Sequence, residues 1–457
     1  MTLGKEHLVV VGGVAAGLAA AMEARRRAPA LAVTVLERTG DVSYGACGLP
    51  YVVGGRIPSL ERLVVHAPEY FRERHHIDVR LHSEALEILP AKFTLRYAEG
   101  GEERELSYTS LVVATGAAAV CPPLPGRDLE GVFVLRHLRD GRRLLRFMEE
   151  VRPRAAVVVG AGYIGLEMAE AFRERGLRTT LVEASGQVMD ALGGRAAELV
   201  ADELRGGGVE VVFGERVAAF EGAGGRVARV LTEAGRAFEA DVVAVGVGVR
   251  PEVALAAGAG LEVGESGAVL TDERQRTSAA GVYAAGDCCE VLHRVSGRRV
   301  WHPLGQPAVK QGWVAGANAA RADAAGAEAR YAGVVGTNAV KVFGLEVART
   351  GLSLEEARGA GFDAEESEGA TLSRAGYYEG GSKIFTRLVA DRRGRLLGAQ
   401  MVGREGVAHR IDVYAAALHA GLRVDEVERF DLAYAPPFAP TIDPILRAAH
   451  EATKRQQ

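Results

Sequence analysis

Apolar residues in this chain fall in short unbroken runs, each closed by glycine. Residues 8–11 read Leu-Val-Val-Val, followed by Gly12, Gly13 and an alanine-rich stretch. A run with no polar alternation suits a strand covered on both faces, as in a parallel sheet, so the segment predicts strand, tight turn and helix. A second strand is predicted over residues 32–36, ending at Glu37. The same pattern returns at residues 156–159, runs through Gly160, Gly162 and Gly165 into a helix reaching Arg175, and continues in a strand over 179–182 that ends at Glu183. Two copies of one βαβ unit imply an internal duplication, and each copy is a candidate dinucleotide site. Residues 111–114 form a further buried strand running into Thr115 and Gly116, and its echo is predicted as one strand over 242–249. Another apolar strand, from Val282, ends in the carboxylate Asp287. Beyond residue 326 the texture changes. Runs at 339–343, 384–389 and 396–402 precede a helix over 408–420, which predicts a separate α+β unit. Residues 222–225 read as a hairpin turn and residues 322–330 as a linker.

Composition narrows the functional classes. The chain has 457 residues, a net charge of -4 and no basic bias, which argues against nucleic acid as a partner. No apolar run is long enough to span a membrane, and no basic, apolar leader opens the chain, so a cytoplasmic protein is expected. The four cysteines, Cys47, Cys121, Cys288 and Cys289, show no zinc-ligand spacing, so no metal is expected, and their scarcity suits a reducing compartment.

The second glycine turn carries the clearer chemistry. Gly160 permits the tight turn, Gly162 lets backbone approach a pyrophosphate, and Gly165 allows helix and strand to pack closely. Glu183 suits both ribose hydroxyls of NADH. It would repel the extra phosphate of NADP, and Ala184 follows it where an arginine would favour that phosphate. The first turn has Val14 where the second glycine belongs; its strand context, Glu37 and the second copy still make it the expected FAD site. Asp287 fits as a carboxylate on the ribityl chain.

Cys47 lies in Ser43-Tyr44-Gly45-Ala46-Cys47-Gly48-Leu49-Pro50-Tyr51, with no second cysteine at CxxC or CxxxxC spacing. A redox thiol without a local partner cycles through a mixed disulfide with a small thiol, or through a sulfenic acid. Its place at a helix start predicts a thiolate of lowered pKa.

Together these segments resemble the FAD- and NAD(P)-dependent pyridine nucleotide–disulfide oxidoreductases. The likeness rests on the turn at 12–17, the Cys47 loop, Ala114-Thr115-Gly116, the turn at 160–165 with Leu166 and Glu167, Tyr283-Ala284-Ala285-Gly286-Asp287, and residues 341–353. It points to the single-cysteine branch, and within it to coenzyme A disulfide reductase. Cys47 is followed by Gly-Leu-Pro-Tyr, no histidine occupies the first turn, and Tyr434-Ala435-Pro436-Pro437-Phe438 is similar to that subgroup's tyrosine-bearing segment. The resemblance implies an α/β fold with two Rossmann-like dinucleotide-binding domains and a C-terminal α+β dimerisation domain. The FAD domain is expected at 1–118 and 248–325, the NADH domain at 119–247, and the dimerisation domain at 326–457. It also implies cofactor contacts at Gly12, Val14, Ala15, Gly17, Glu37, Arg38, Thr115, Gly116 and Asp287, and at Gly160, Gly162, Tyr163, Ile164, Gly165, Glu167, Glu183 and Gly248, with Tyr163 gating the flavin face.

As implied by the same resemblance, the chain is a homodimer that reduces a small-molecule disulfide, coenzyme A disulfide or a related compound, through Cys47. Tyr434 and Tyr377 (rather than Tyr378) serve the leaving thiolate from the partner subunit. Arg26 and Ser43 match substrate contacts of the family, and His75 stands where a lysine is expected. Ala46 and Ile442 depart from the family's asparagine and basic residue, which weakens the case for a phosphate-bearing substrate. The alternative is an NADH oxidase or NADH:quinone reductase, with oxygen or a quinone as acceptor and Cys47 secondary. Unlike in the fused persulfide reductases, no rhodanese segment is expected after residue 457.

Overall fold

The structure, a computed structural model, describes residues 6–320 and 328–455. Most of the linker expected at 322–330, and the domain boundary expected at 325/326, lie outside the described residues.

The first five-stranded sheet takes its strands in the order Val282–Ala284, Ser110–Val113, His7–Val11, Ala32–Leu36, Asp78–Arg80, all parallel. Leu8, Val9 and Val10 are fully buried. Each such side chain contributes about 1.5–3 kcal/mol by leaving water, so the apolar run fixes both the strand and its central place. The second sheet repeats the design: Val209–Phe213, Arg178–Glu183, Ala155–Val159, Val242–Val245, Val132–Phe133, again parallel. The duplication extends further than the motifs suggested. In both units a three-stranded antiparallel meander, spanning 83–107 in one and 217–239 in the other, precedes the strand that returns to the sheet. The turn expected at 222–225 is shorter: residues 222 and 223 belong to the strand Val217–Ala223, and only Gly224 and Gly225 connect it to Arg226–Thr232.

One expectation is corrected. Residues 242–249 do not form one strand: Val242–Val245 belongs to the second sheet, whereas Val249–Pro251 pairs antiparallel with Ala117–Ala119. Gly246 and Gly248 intervene, and Gly248 has φ +116°, a conformation that L side chains resist, so the chain leaves one sheet and joins another ladder there.

Helix Ala15–Arg27 ends in three arginines that complement its C-terminal dipole. It packs on helix Gly305–Ala319 through small residues. A Cβ at Gly312 would lie 2.3 Å from the Ala16 carbonyl oxygen, and one at Gly316 2.1 Å from that of Ala20. The C-terminal unit is an antiparallel sheet ordered Asn338–Val342, Leu345–Gly351, Leu396–Gly403, Lys383–Asp391, Ala364–Leu372. Helices Val407–Ala420 and Pro444–Arg455 cover it, and the buried Tyr414 hydroxyl donates to the Ile445 carbonyl at 2.9 Å. Among the described residues no helix is long and apolar enough to cross a membrane.

Candidate active site

The two glycine turns are built alike. Gly12 has φ +109° and Gly160 φ +99°, and a Cβ on either would strike a carbonyl oxygen, of Ala114 at 2.2 Å or of Gly246 at 2.6 Å. Gly17 packs on the Gly12 carbonyl and Gly165 on that of Gly160, each leaving 1.9 Å for a Cβ. The acidic residues act alike as well. Glu37 Oε2 accepts the Gly13 N–H at 2.8 Å and its Oε1 the Thr39 N–H at 2.8 Å. Glu183 accepts the Ala161 N–H at 2.6 Å and the Ser185 N–H at 2.8 Å. Each carboxylate ties its strand end to its glycine turn. The turns differ at their third position, where a Cβ on Gly162 meets nothing within 4 Å, whereas Val14 fills that place in the first copy.

A cavity of about 440 Å³ opens over the first turn. Gly12, Val14, Glu37, Arg38, Thr115 and Gly116 line it, together with Tyr44, Ala46, Arg136, His137 and residues 83–86. Ala15, exposed at the first position of the following helix, and Gly17, buried within it, do not. The turn geometry, the buried carboxylate and a lining that runs from the glycine turn past Glu37 to Thr115 and Gly116 fit a dinucleotide such as FAD. Asp287 reaches the cavity through a partner: Arg136 donates to its Oδ2 at 2.6 Å and to the Ala117 carbonyl at 3.0 Å. Tyr44 and His137 share a hydrogen bond of 3.2 Å at the wall, and burial, with Glu37 nearby, pushes the Tyr44 hydroxyl up to about 12.

Cys47 is exposed beside Ala46, in a short 3-10 turn of residues Ala46–Gly48 leading into helix Leu49–Gly54. The chain's own groups do not depress its pKa. Desolvation raises it, and the negative charges of Glu167 and Asp287 outweigh the Arg136 guanidinium. The helix that follows has only six residues, too short for its dipole to reverse this. Glu167 itself is pushed up to about 7 by desolvation, and it accepts a hydrogen bond from Tyr51 at 3.2 Å. Cys288 and Cys289 are buried, with sulfurs 3.6 Å apart and no disulfide between them.

Helix Tyr163–Glu174 carries the remaining groups of the second turn. Tyr163 is held by a hydrogen bond from its hydroxyl to Asn338 Oδ1, at the start of the C-terminal sheet. Ile164 packs on the apolar core beneath, and Gly248 marks the crossing between ladders. The substrate residues expected from the sequence gather only loosely. Arg26 is exposed and bound twice to Glu23, at 2.7 and 2.6 Å. The neighbouring Arg25 donates to the His75 carbonyl, the His75 ring lies against Tyr70, and its Nε2 is buried without a hydrogen-bond partner. Ser43, at φ +52°, binds the first turn by donating its N–H to the Gly13 carbonyl. Tyr377 and Tyr434 meet: their hydroxyls are 3.2 Å apart on an exposed face with Tyr378, Phe438 and Ile442.

Arg136, Tyr51 and Asn338 were not found from the sequence. Arg136 lies outside every glycine motif, and no local pattern links it to Asp287, 151 residues away.

Known proteins place this arrangement. Residues 6–322 match the pyridine nucleotide-disulphide oxidoreductase family, and residues 337–444 match that family's dimerisation domain. The chain belongs to this family of FAD-dependent NAD(P)H oxidoreductases. It is 39% identical over 443 residues, 97% of each chain, to a Pyrococcus abyssi protein named NAD(P)H sulfur oxidoreductase (CoA-dependent). It is 33% identical to an NADH oxidase of Methanocaldococcus jannaschii over 98% of both chains. The structure of reduced Bacillus anthracis CoADR-RHD superposes with a TM-score of 0.95 at 34% identity, covering 99% of this chain and 81% of that one.

Proposed function

We propose that this protein is a homodimeric, NADH-dependent flavoprotein that reduces small-molecule disulfides or persulfides, coenzyme A derivatives among them, through Cys47. The observation that carries the reading is an exposed Cys47 directly after Ala46, which lines the cavity over the first turn, while Cys288 and Cys289 are fully buried. FAD, when bound, supplies two-electron transfer from NADH to sulfur. The residues that the resemblance implies for the two cofactors would hold them at the two glycine turns. Glu37 and Glu183 hold the turns open, Arg136 and Asp287 anchor the cavity end near the thiol, and Cys47 presents its sulfur to the substrate. We assign the FAD domain to 1–118 and 248–325, the NADH domain to 119–247, and dimerisation to 326–457. The strand Val282–Ala284 in the first sheet and the antiparallel C-terminal sheet support this division. The exposed tyrosine pair is assigned to the partner subunit's site, and four free cysteines support a cytoplasmic location.

Replacing Cys47 by serine tests the reading. Turnover of coenzyme A disulfide and of polysulfide should fall to background, while NADH-driven reduction of oxygen or a quinone persists. Undiminished disulfide turnover in this variant refutes it. The name of the Methanocaldococcus relative and a thiol held protonated by its surroundings favour the second reading, an NADH oxidase, for which oxygen turnover in the same variant equals or exceeds that of the wild type.

A further inference from the structure

Helix Tyr163–Glu174 presents three carboxylates toward the Cys47 segment and the C-terminal sheet, and they are treated unequally. Glu174 is bound by Arg56 at 2.6 Å. Glu170 is bound by Arg56 at 3.1 Å, by Lys341 at 2.7 Å and by the Phe343 N–H at 2.7 Å. Glu167, one turn nearer the glycine loop, is met by the Tyr51 hydroxyl alone at 3.2 Å, and among the described residues no lysine or arginine pairs with it. An unpaired, desolvated carboxylate is costly, and the cation supply a turn away shows that pairing was structurally available. Tyr51 belongs to helix Leu49–Gly54, which continues directly from the turn bearing Cys47.

The charges around the sulfur resolve in the same direction. Arg136 and Asp287 bind each other, and Arg56 and Lys341 neutralise Glu170 and Glu174. Glu167 is the uncompensated charge, and it leads the charged groups acting on Cys47. Taking the redox role of Cys47 from the functional reading above, we propose that Glu167, held by Tyr51, is a positioning residue that sets the protonation of Cys47. As a carboxylate it keeps the sulfur a thiol, and as a neutral acid it lets the thiolate form. Only a proton exchanged with solvent is involved, and no electrons move. The consequence is chemical selectivity: the sulfur stays unreactive toward passing electrophiles until Glu167 is neutralised. Glu167 follows Gly165 by two residues, so it lies where a dinucleotide bound at the second turn would change its surroundings.

The test is the pH profile of Cys47 alkylation by iodoacetamide in the intact FAD-containing protein, read by mass on the Cys47 peptide. For Glu167→Gln the midpoint should move to lower pH, with severalfold faster alkylation at neutral pH. Glu167→Asp should keep the wild-type profile. Tyr51→Phe removes the donor that stabilises the carboxylate and should move the midpoint the same way by less. A Glu167→Gln profile matching wild type overturns the inference, as does an equal shift in Glu167→Asp, which would mark damaged packing instead of charge. Should Glu167→Gln fail to retain flavin, Tyr51→Phe decides, and an unmoved midpoint there is the overturning result. Alkylation needs no turnover, so a protein inert toward every disulfide but showing the shift would retire the functional reading and leave this inference standing.

Discussion

Arg136 binds Asp287 at 2.6 Å, joining a segment without any motif to the end of the strand Val282–Ala284. Its Nε also holds the Ala117 carbonyl at 3.0 Å, so one guanidinium ties Asp287 to the cavity wall at Ala117. Hydrogen bonds to charged groups contribute about 1.5–3 kcal/mol, and loss of one partner leaves Asp287 partly desolvated and unpaired. Arg136→Ala should therefore weaken FAD binding by roughly tenfold or more, since 1.4 kcal/mol is a factor of ten. Flavin retained through gel filtration and a fluorescence titration of the apoprotein measure it. Unchanged affinity would place the pair outside the cofactor site.

Glu183 bears on nucleotide choice. It accepts the Ala161 and Ser185 N–H groups, so its charge stands at the mouth of the second turn. Glu183→Ala should raise the ratio of NADPH to NADH efficiency by about tenfold, the scale of one removed charge repulsion. It should also lower efficiency with NADH, because the turn loses its tie. The kcat/KM ratio for the two nucleotides is the readout, and a ratio equal to wild type would show that Ala184 and its neighbours set the preference.

Much of the fold was legible because its strands are buried on both faces. Unbroken runs such as Leu8 to Val11 and Ala155 to Val159 can be little else, and the glycines at 12, 17, 160 and 165 have steric reasons readable from spacing. The first meander was missed because its strand Glu102–Ser107 is exposed and charged, and the other two bury only scattered residues such as Ile88, Leu95 and Tyr97, with no unbroken apolar run. The break after Val245 was missed because Gly246 and Gly248 sit inside an otherwise apolar run. The candidate site was legible where a motif dictates it, at the turns, Glu37, Glu183 and Cys47. Arg136, Tyr51 and Asn338 act through contacts between segments far apart in the chain, which no local pattern encodes. The lowered thiol pKa was expected from a helix start, whereas in the chain's own surroundings desolvation first, and then the charge of Glu167 from another helix, push it up.

Asn338 holds the Tyr163 hydroxyl, and burial pushes that hydroxyl up to about 12, so it stays a donor throughout the physiological range. If Tyr163 covers the flavin face until nicotinamide enters, this bond must break on binding, and its net worth of about 0.5–1.5 kcal/mol works against NADH. Asn338→Ala should then tighten NADH binding about fivefold and speed flavin reduction, since the closed position loses its partner. Stopped-flow flavin reduction at varied NADH measures both. Weaker binding instead would show that the Asn338 bond orients Tyr163 for the nicotinamide.

Glu167 gives a stability prediction with a definite sign. Its folded pKa, about 7, lies above the ordinary 4.5, chiefly through desolvation. Between those values the folded state holds a proton that the unfolded state has released, so stability falls as pH rises through this window and levels off above it. The full difference amounts to roughly 3 kcal/mol. Glutamine cannot ionise, so Glu167→Gln should match the wild type in thermal midpoint near the lower value and exceed it by several degrees above the upper one. Melting curves of the FAD-loaded proteins at both ends of the window decide it. A glutamine variant less stable at every pH would mean that the carboxylate is bound by groups stronger than Tyr51 and carries no desolvation cost.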